Sequence, residues 1–248
     1  MLFKILHSLL ARFLLFVLMV LFFIPITFYL LLPARIRYTS KLFFKIGHFF
    51  NWLALKCLFI PIKYVGLENV PNTPVIFAAN HQSSMDIPLL GLVAQAKPYV
   101  WMAWADLMKG PILRFVLPHV AVLVDTSSPL KAVRSLLQTM DLVKKYKLHV
   151  MIFPEGGRYD DGEIHGFFGG FAVLARRAER SVVPVYIHGA NKAYPPKTFW
   201  MTYHPITVVV GKPFTFESDE SDEDFKTRVR KWFISQAAEY HVKELSND

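Results

Sequence analysis

Val75-Ile76-Phe77-Ala78-Ala79 runs directly into Asn80-His81-Gln82-Ser83-Ser84-Met85-Asp86, and a second apolar stretch, Ile87-Pro88-Leu89-Leu90, follows. The first run is short and apolar throughout, which predicts a strand buried on both faces. The second opens a helical pattern expected over residues 86–95. The polar link therefore sets a histidine and a carboxylate five positions apart where a strand gives way to a helix. In open α/β sheets, ligands collect at such strand ends. Taken alone, the pair equally describes a surface histidine and a helix-capping aspartate. Its meaning has to come from the rest of the chain.

Working outward, short apolar runs alternate with helical patterns. Strands are expected at 75–79, 99–103, 120–124, 149–153, 182–187 and 206–210, and helices at 86–95, 105–116, 129–146, 168–180 and 222–244. This alternation predicts an α/β fold, a mostly parallel central sheet flanked by helices. Pro184, inside the fifth strand, suggests an edge position or a bulge. Ser221 is placed to cap the last helix.

The 248 residues carry a net charge of +9, and 53% of them are hydrophobic. Neither property is evenly spread. Eight of the 28 lysines and arginines precede the first acid, Glu68, and the rest nearly balance the 19 acids. The basic excess thus belongs to one segment and gives no reason to expect a nucleic-acid partner. That segment also holds an uncharged run from Phe13 to Leu32, long enough to cross a bilayer core as a helix. Pro25 would kink it or split it into a re-entrant pair. Residues 41–62 mix aromatics with Lys41, Lys45, His48 and Lys56, as a helix at a membrane interface does. Residues 1–63 are accordingly expected to form a membrane-embedded two-helix module, and residues 64–248 the α/β domain. Arg35, Arg37, Lys41 and Lys45 follow the apolar run, which puts the domain on the cytoplasmic face. The single cysteine, Cys57, excludes an internal disulfide and a cysteine-rich metal centre.

Two further stretches carry information. Phe153-Pro154-Glu155-Gly156-Gly157-Arg158 follows a strand. Its paired glycines let backbone amides approach an anion, and Arg158 offers a planar donor fork for phosphate or carboxylate. Glu155 is suited to hold the loop or the arginine. Val182-Val183-Pro184-Val185-Tyr186-Ile187 is a strand with no evident chemistry of its own. In this order and spacing, NHQSSMD at 80–86, FPEGGR at 153–158 and VVPVYI at 182–187 resemble the conserved blocks of the glycerolipid acyltransferases, a family that includes the 1-acyl-sn-glycerol-3-phosphate acyltransferases. The resemblance spans about Tyr64 to Lys212.

The resemblance implies transfer of an acyl chain from acyl-CoA or acyl carrier protein to a lipid hydroxyl at a membrane, with no metal or other cofactor. It makes His81 and Asp86 the catalytic pair, and Asn80, Ser84, Glu155, Gly156, Gly157 and Arg158 the substrate-binding set. The residue chemistry agrees. An alcohol attacks a thioester readily once a base takes its proton, and a carboxylate on the other ring nitrogen fixes the tautomer and steadies the imidazolium. Ser83 and Ser84 are expected to cap the following helix, not to carry an acyl group. The sequence departs from the family where Thr126 replaces an arginine and Gly169 follows Phe168 in place of a lysine. Both lost cations are associated there with the acceptor's phosphate, and Lys131 or Arg134 are the candidates to replace them. The expected acceptor is lysophosphatidic acid. The alternatives are another lysophospholipid or a lyso-aminolipid and, less favoured, a non-catalytic membrane lipid-binding protein.

Overall fold

Seven strands form one sheet in this computed structural model, which describes residues 1–246. They are β1 (Ile62–Val65), β2 (Ile76–Ala79), β3 (Tyr99–Trp104), β4 (Ala121–Val124), β5 (His149–Ile152), β6 (Val182–His188) and β7 (Ile206–Val210), in the order β1-β7-β6-β2-β5-β3-β4. All neighbours are parallel except β6 and β7, so β1 and β7 run against the other five. The helices are α1 (Leu2–Leu30), α2 (Ala34–Thr39), α3 (Lys41–Lys56), α4 (Asp86–Val93), α5 (Pro111–Val120), α6 (Pro129–Tyr146), α7 (Gly170–Ala178), α8 (Ala190–Ala193) and α9 (Asp222–Leu245). The fold is α/β, a mostly parallel sheet between helical layers.

β2 lies at the centre, and all four of its side chains are buried. Alternation divides them between two cores. Phe77 and Ala79 join Leu55, Leu58, Leu89, Leu90 and Ile187 under α3 and α4. Ile76 and Ala78 join Phe171, Leu174, Phe225, Val229 and Phe233 under α7 and α9. Ser221 caps α9 by accepting the Asp224 N–H at 3.1 Å.

Four expectations need correction. Pro184 lies in β6, an interior strand, so the edge reading fails. The bulge reading holds: Val185 faces Val210 and Val182 faces Phe214, leaving two residues on one side against three on the other. The helix expected at 105–116 is a short 3-10 turn and then α5, because Gly110 turns the chain at φ +79 before Pro111 starts the helix. α1 runs unbroken through Pro25 and is not a re-entrant pair. A division at residue 63 would cut β1, which pairs with β7 and belongs to the sheet.

The N-terminal segment is therefore not packed apart from the sheet. Ala11, Leu55 and Leu58 sit in the same buried cluster as Phe77, and the Phe44 ring lies 5.5 Å from that of Tyr99. Near its start, α1 meets the domain where Ser8 accepts the Met201 N–H at 2.9 Å and Arg12 donates to the Phe199 carbonyl and the Tyr194 hydroxyl. Near its end, Phe22 lies against Phe49 and Phe50 of α3. Its outer face is bare: an 18-residue window has a mean hydropathy of 2.7 and only 11% of it is buried. By length and composition α1 can cross a membrane. α3, with 16 residues, falls short of the ~20 a span requires.

One buried group ties the fold to pH. His149 Nδ1 accepts the Val75 N–H at 3.1 Å, at the start of the β2–β5 pairing. Burial, helped by Lys97 and Arg180, lowers its pKa to about 4. Between that value and its ordinary one the unfolded chain binds the extra proton, so stability is whole above the ordinary value and declines as pH falls towards 4. The loss at pH 5 is about 2 kcal/mol. His149→Asn keeps an acceptor for Val75 and cannot titrate. Thermal denaturation at pH 7 and pH 5 should show a clearly smaller drop in the variant than in the parent.

Candidate active site

The site is assembled where β2 ends. At Asn80 a side chain takes over from the backbone ladder. Its amide donates to the Ile187 carbonyl at 2.9 Å and accepts the Ile187 N–H at 2.7 Å. Asn80 is fully buried and both of its polar atoms are used. It pins β2 to β6 and does not face a substrate, which corrects the expectation made for it.

The next residue turns outward. His81 Nδ1 lies 2.8 Å from Asp86 Oδ2; the His81 side chain is 13% exposed and that of Asp86 is fully buried. The same Oδ2 accepts the N–H groups of Gln82 at 2.6 Å and Ser83 at 2.7 Å. Three donors thus converge on one carboxylate oxygen. They also fold the 80–86 loop around it. The carboxylate therefore settles the tautomer: Nδ1 carries the proton and donates it, and Nε2 presents a lone pair to the surface. The ring is held flat by Phe153, stacked at 3.9 Å and 11°, with Trp101 behind it at 5.7 Å.

The serines behave differently from expectation. Neither caps α4, whose N-cap is Met85 with no side-chain bond. Ser83 donates to the Tyr194 carbonyl at 2.8 Å and accepts the Met85 N–H at 3.2 Å, and it is buried. Its hydroxyl is spent on the loop. Ser84 is exposed and accepts from Arg158 Nη1 at 3.1 Å.

The second loop is built against the first. Glu155 is buried, with Oε1 accepting the His81 N–H at 3.1 Å and Oε2 the His165 N–H at 3.0 Å. Burial raises its pKa, and the two backbone donors offset part of that rise. Of the two expected roles it takes the first: it holds the loop and does not touch Arg158 or face a substrate. Gly156 adopts φ +67, and a Cβ there would strike the rings of Phe168 and Trp104. Trp104 Nε1 donates to the Gly156 carbonyl at 2.6 Å, and the Gly156 N–H donates to Phe153 at 3.1 Å. At Gly157 an added Cβ would meet the Tyr159 ring. Arg158 is exposed, and its Nε donates to His81 Nε2 at 3.2 Å.

His81, Asp86, Ser84, Gly156, Gly157 and Arg158 are thus brought to one place, with Asn80 and Glu155 as the clips beneath them. Thr126 lies beyond the end of β4, three strands from β2, about 14 Å at the usual strand spacing. Lys131 is paired with Asp125 at 3.1 Å, and Arg134 is exposed on α6. Gly169 precedes α7, with open space where a side chain would stand. Sequence reasoning missed Phe153 as the ring's support and Trp104 as the brace of Gly156. Phe153 lay inside a stretch already singled out, whereas nothing in the pattern marked Trp104. Among the described residues, no group of three or more histidines, cysteines or acids is placed to hold a metal.

Chemically, the arrangement can supply a base with an orienting carboxylate, an exposed cation beside it, and a glycine loop next to both. The family model described as Acyltransferase matches residues 61–188, which include every one of these side chains. The 1-acyl-sn-glycerol-3-phosphate acyltransferase of Limnanthes douglasii is 31% identical over 168 residues, 65% of this chain and 57% of that protein. The enzyme of the same name from Pseudomonas aeruginosa is 29% identical over 224 residues, 84% of this chain and 81% of that one. The match spans only 57% of the Limnanthes protein and 44% of a chloroplast relative from Arabidopsis thaliana. The crystal structure of the 1-acyl-sn-glycerophosphate (LPA) acyltransferase PlsC from Thermotoga maritima shares the fold, with a TM-score of 0.76 over 95% of this chain and 96% of that chain, at 24% identity. With the model match covering more than half its length, the chain belongs to the acyltransferase family.

Proposed function

We propose that the protein transfers an acyl chain from a thioester, acyl-CoA or acyl carrier protein, to the free hydroxyl of lysophosphatidic acid, at a membrane surface and in phospholipid synthesis. The observation that carries this reading is the His81–Asp86 pair, in which Asp86 holds the inner ring nitrogen and the outer nitrogen lies against the guanidinium of Arg158 at the surface. The relatives' names supply the acceptor.

In this mechanism the acceptor hydroxyl oxygen attacks the thioester carbonyl carbon while His81 Nε2 takes the hydroxyl proton. Asp86 stabilises the imidazolium that forms. The carbonyl oxygen becomes an oxyanion, which needs a donor. The Gly156 N–H is already given to Phe153, so among this pair the role falls to Gly157. Collapse of the tetrahedral adduct breaks the carbon–sulfur bond, and the imidazolium returns its proton to the leaving thiolate. Arg158 binds the acceptor's phosphate as a fork. α1 places the site at the lipid surface by burying its bare apolar face, and the basic residues of the N-terminal segment meet anionic head groups. The positive-inside tendency puts the domain on the cytoplasmic side.

A second reading rests on Thr126 and Gly169, which lack the cations associated with phosphate in the family. It keeps the chemistry and changes the acceptor to another lysophospholipid or a lyso-aminolipid. Competition between lysophosphatidate and lysophosphatidylethanolamine for labelled acyl-CoA separates the two. Preferential labelling of the phosphatidate product supports the first reading, and preferential labelling of phosphatidylethanolamine overturns it.

A further inference from the structure

Both ring nitrogens of His81 are occupied in this structure. Nδ1 is held by Asp86, and Nε2 accepts the Nε–H of Arg158 at 3.2 Å. A second tether, Nη1 to Ser84 Oγ at 3.1 Å, keeps the guanidinium there. A general base must offer its lone pair to the substrate hydroxyl at about 2.6–3.2 Å. The imidazole Nε2 has one lone pair, so while Arg158 holds it no hydroxyl can use it. The arrangement that exposes the loop's cation also masks the base.

We infer that Arg158 is a latch on His81 which only an acceptor carrying an anionic group such as phosphate releases. The inference rests on the acyl-transfer reading and adds selectivity to it. The contacts that hold the latch are weak: one neutral imidazole nitrogen, one hydroxyl, and an exposed side chain. A phosphate offers the same fork two charged oxygens, which bind a guanidinium far better than neutral acceptors do. The equilibrium between masked and open base shifts by that difference in affinity. Acceptor recognition and base exposure thus become one event, and binding energy from the head group is converted into a competent base. An uncharged monoacylglycerol, though it carries the same kind of hydroxyl, has nothing with which to draw the arginine away. Water meets the same obstacle, so the resting site is protected from hydrolysing its thioester.

The test uses the full-length protein in detergent with two readouts. The first is independent of acyl transfer: the rate at which the free imidazole lone pair of His81 attacks diethyl pyrocarbonate and becomes ethoxycarbonylated, followed by peptide mass spectrometry and normalised to the other histidines. Arg158→Ala should speed this modification about fivefold to tenfold, the ratio that loss of one ordinary exposed hydrogen bond allows. Ser84→Ala, which keeps the cation and removes its second tether, should give a smaller increase in the same direction and serves if the arginine variant folds poorly. The second readout is transfer to a monoacylglycerol, which should rise in Arg158→Ala while kcat/KM for lysophosphatidate falls. Unchanged His81 modification in both variants would overturn the latch and leave Arg158 a plain anion clamp, as would a fall in monoacylglycerol transfer parallel to that for lysophosphatidate. Faster modification with no acyl transfer by any form, to any acceptor, would instead sink the acyl-transfer reading and spare the latch.

Discussion

His81→Ala should lower acyl transfer by about 10³-fold or more, in the upper half of what one positioned general base contributes. The loss should fall on kcat, since the ring takes no part in holding the acceptor's head group. No second base stands ready. His165 is turned away to Asp161, 2.8 Å from it, and Glu155 has both oxygens committed to backbone N–H groups. The fold should survive. Only the ring is removed; the His81 N–H still donates to Glu155 and its carbonyl still accepts from Tyr159, and both are main-chain groups the substitution keeps. Phe153 loses a stacking partner, a cost of about 1 kcal/mol. Measured kinetics beside an unfolding curve separate the two effects: a rate collapse with a nearly unchanged transition is expected.

Asp86→Asn should lower the rate about 10²- to 10⁴-fold, and it should also cost stability, which His81→Ala should not. Three donors point at Asp86 Oδ2, so an asparagine must set its oxygen there and its NH₂ in the place of Oδ1. Oδ1 is buried without a hydrogen-bond partner among the described residues, so that NH₂ would be an unmet donor, at about 1–3 kcal/mol. The tautomer survives because the amide oxygen still accepts from Nδ1. What is lost is the negative charge that steadies the imidazolium during transfer. The expected signature is a large fall in kcat with a modest change in KM and a lower denaturation midpoint. A variant of ordinary rate would remove Asp86 from the chemistry and leave it a loop-former.

Much of this was legible from a short stretch because its physics is local. A short apolar run at 75–79 reads as a strand, and a histidine just past its end falls where ligands collect in an open α/β sheet. Less legible was the direction in which a side chain points. Asn80 and Glu155 stand in the stretches that carry the chemistry, yet each is turned inward to satisfy backbone groups, because a sharp loop at a buried strand end leaves N–H groups that something must accept. Nothing in the residue types separates such a clip from a substrate ligand. β1 was hidden for a different reason: Ile-Lys-Tyr-Val follows a membrane-like segment, and only its pairing with β7, 144 residues on, makes it a strand. Pro184 was read correctly as a bulge and wrongly as an edge, because a missing N–H is tolerated wherever the neighbouring strand steps out of register, inside a sheet as well as at its border. α1 shows the limit of hydropathy. The pattern gives a helix long enough to cross a bilayer but not Ala11 and Leu18, which are turned against the protein and make the helix part of its core.

The proposed reaction is a bond exchange: an acyl carbonyl leaves sulfur and joins the hydroxyl oxygen of a phosphate-bearing lysolipid. The most direct test incubates the purified full-length protein in anionic lipid vesicles with carbon-labelled acyl-CoA and lysophosphatidate and follows the label by lipid mass spectrometry. Labelled phosphatidate and free CoA should rise together in equal amounts. Label that remains in the thioester, or that appears only as free fatty acid, would contradict it.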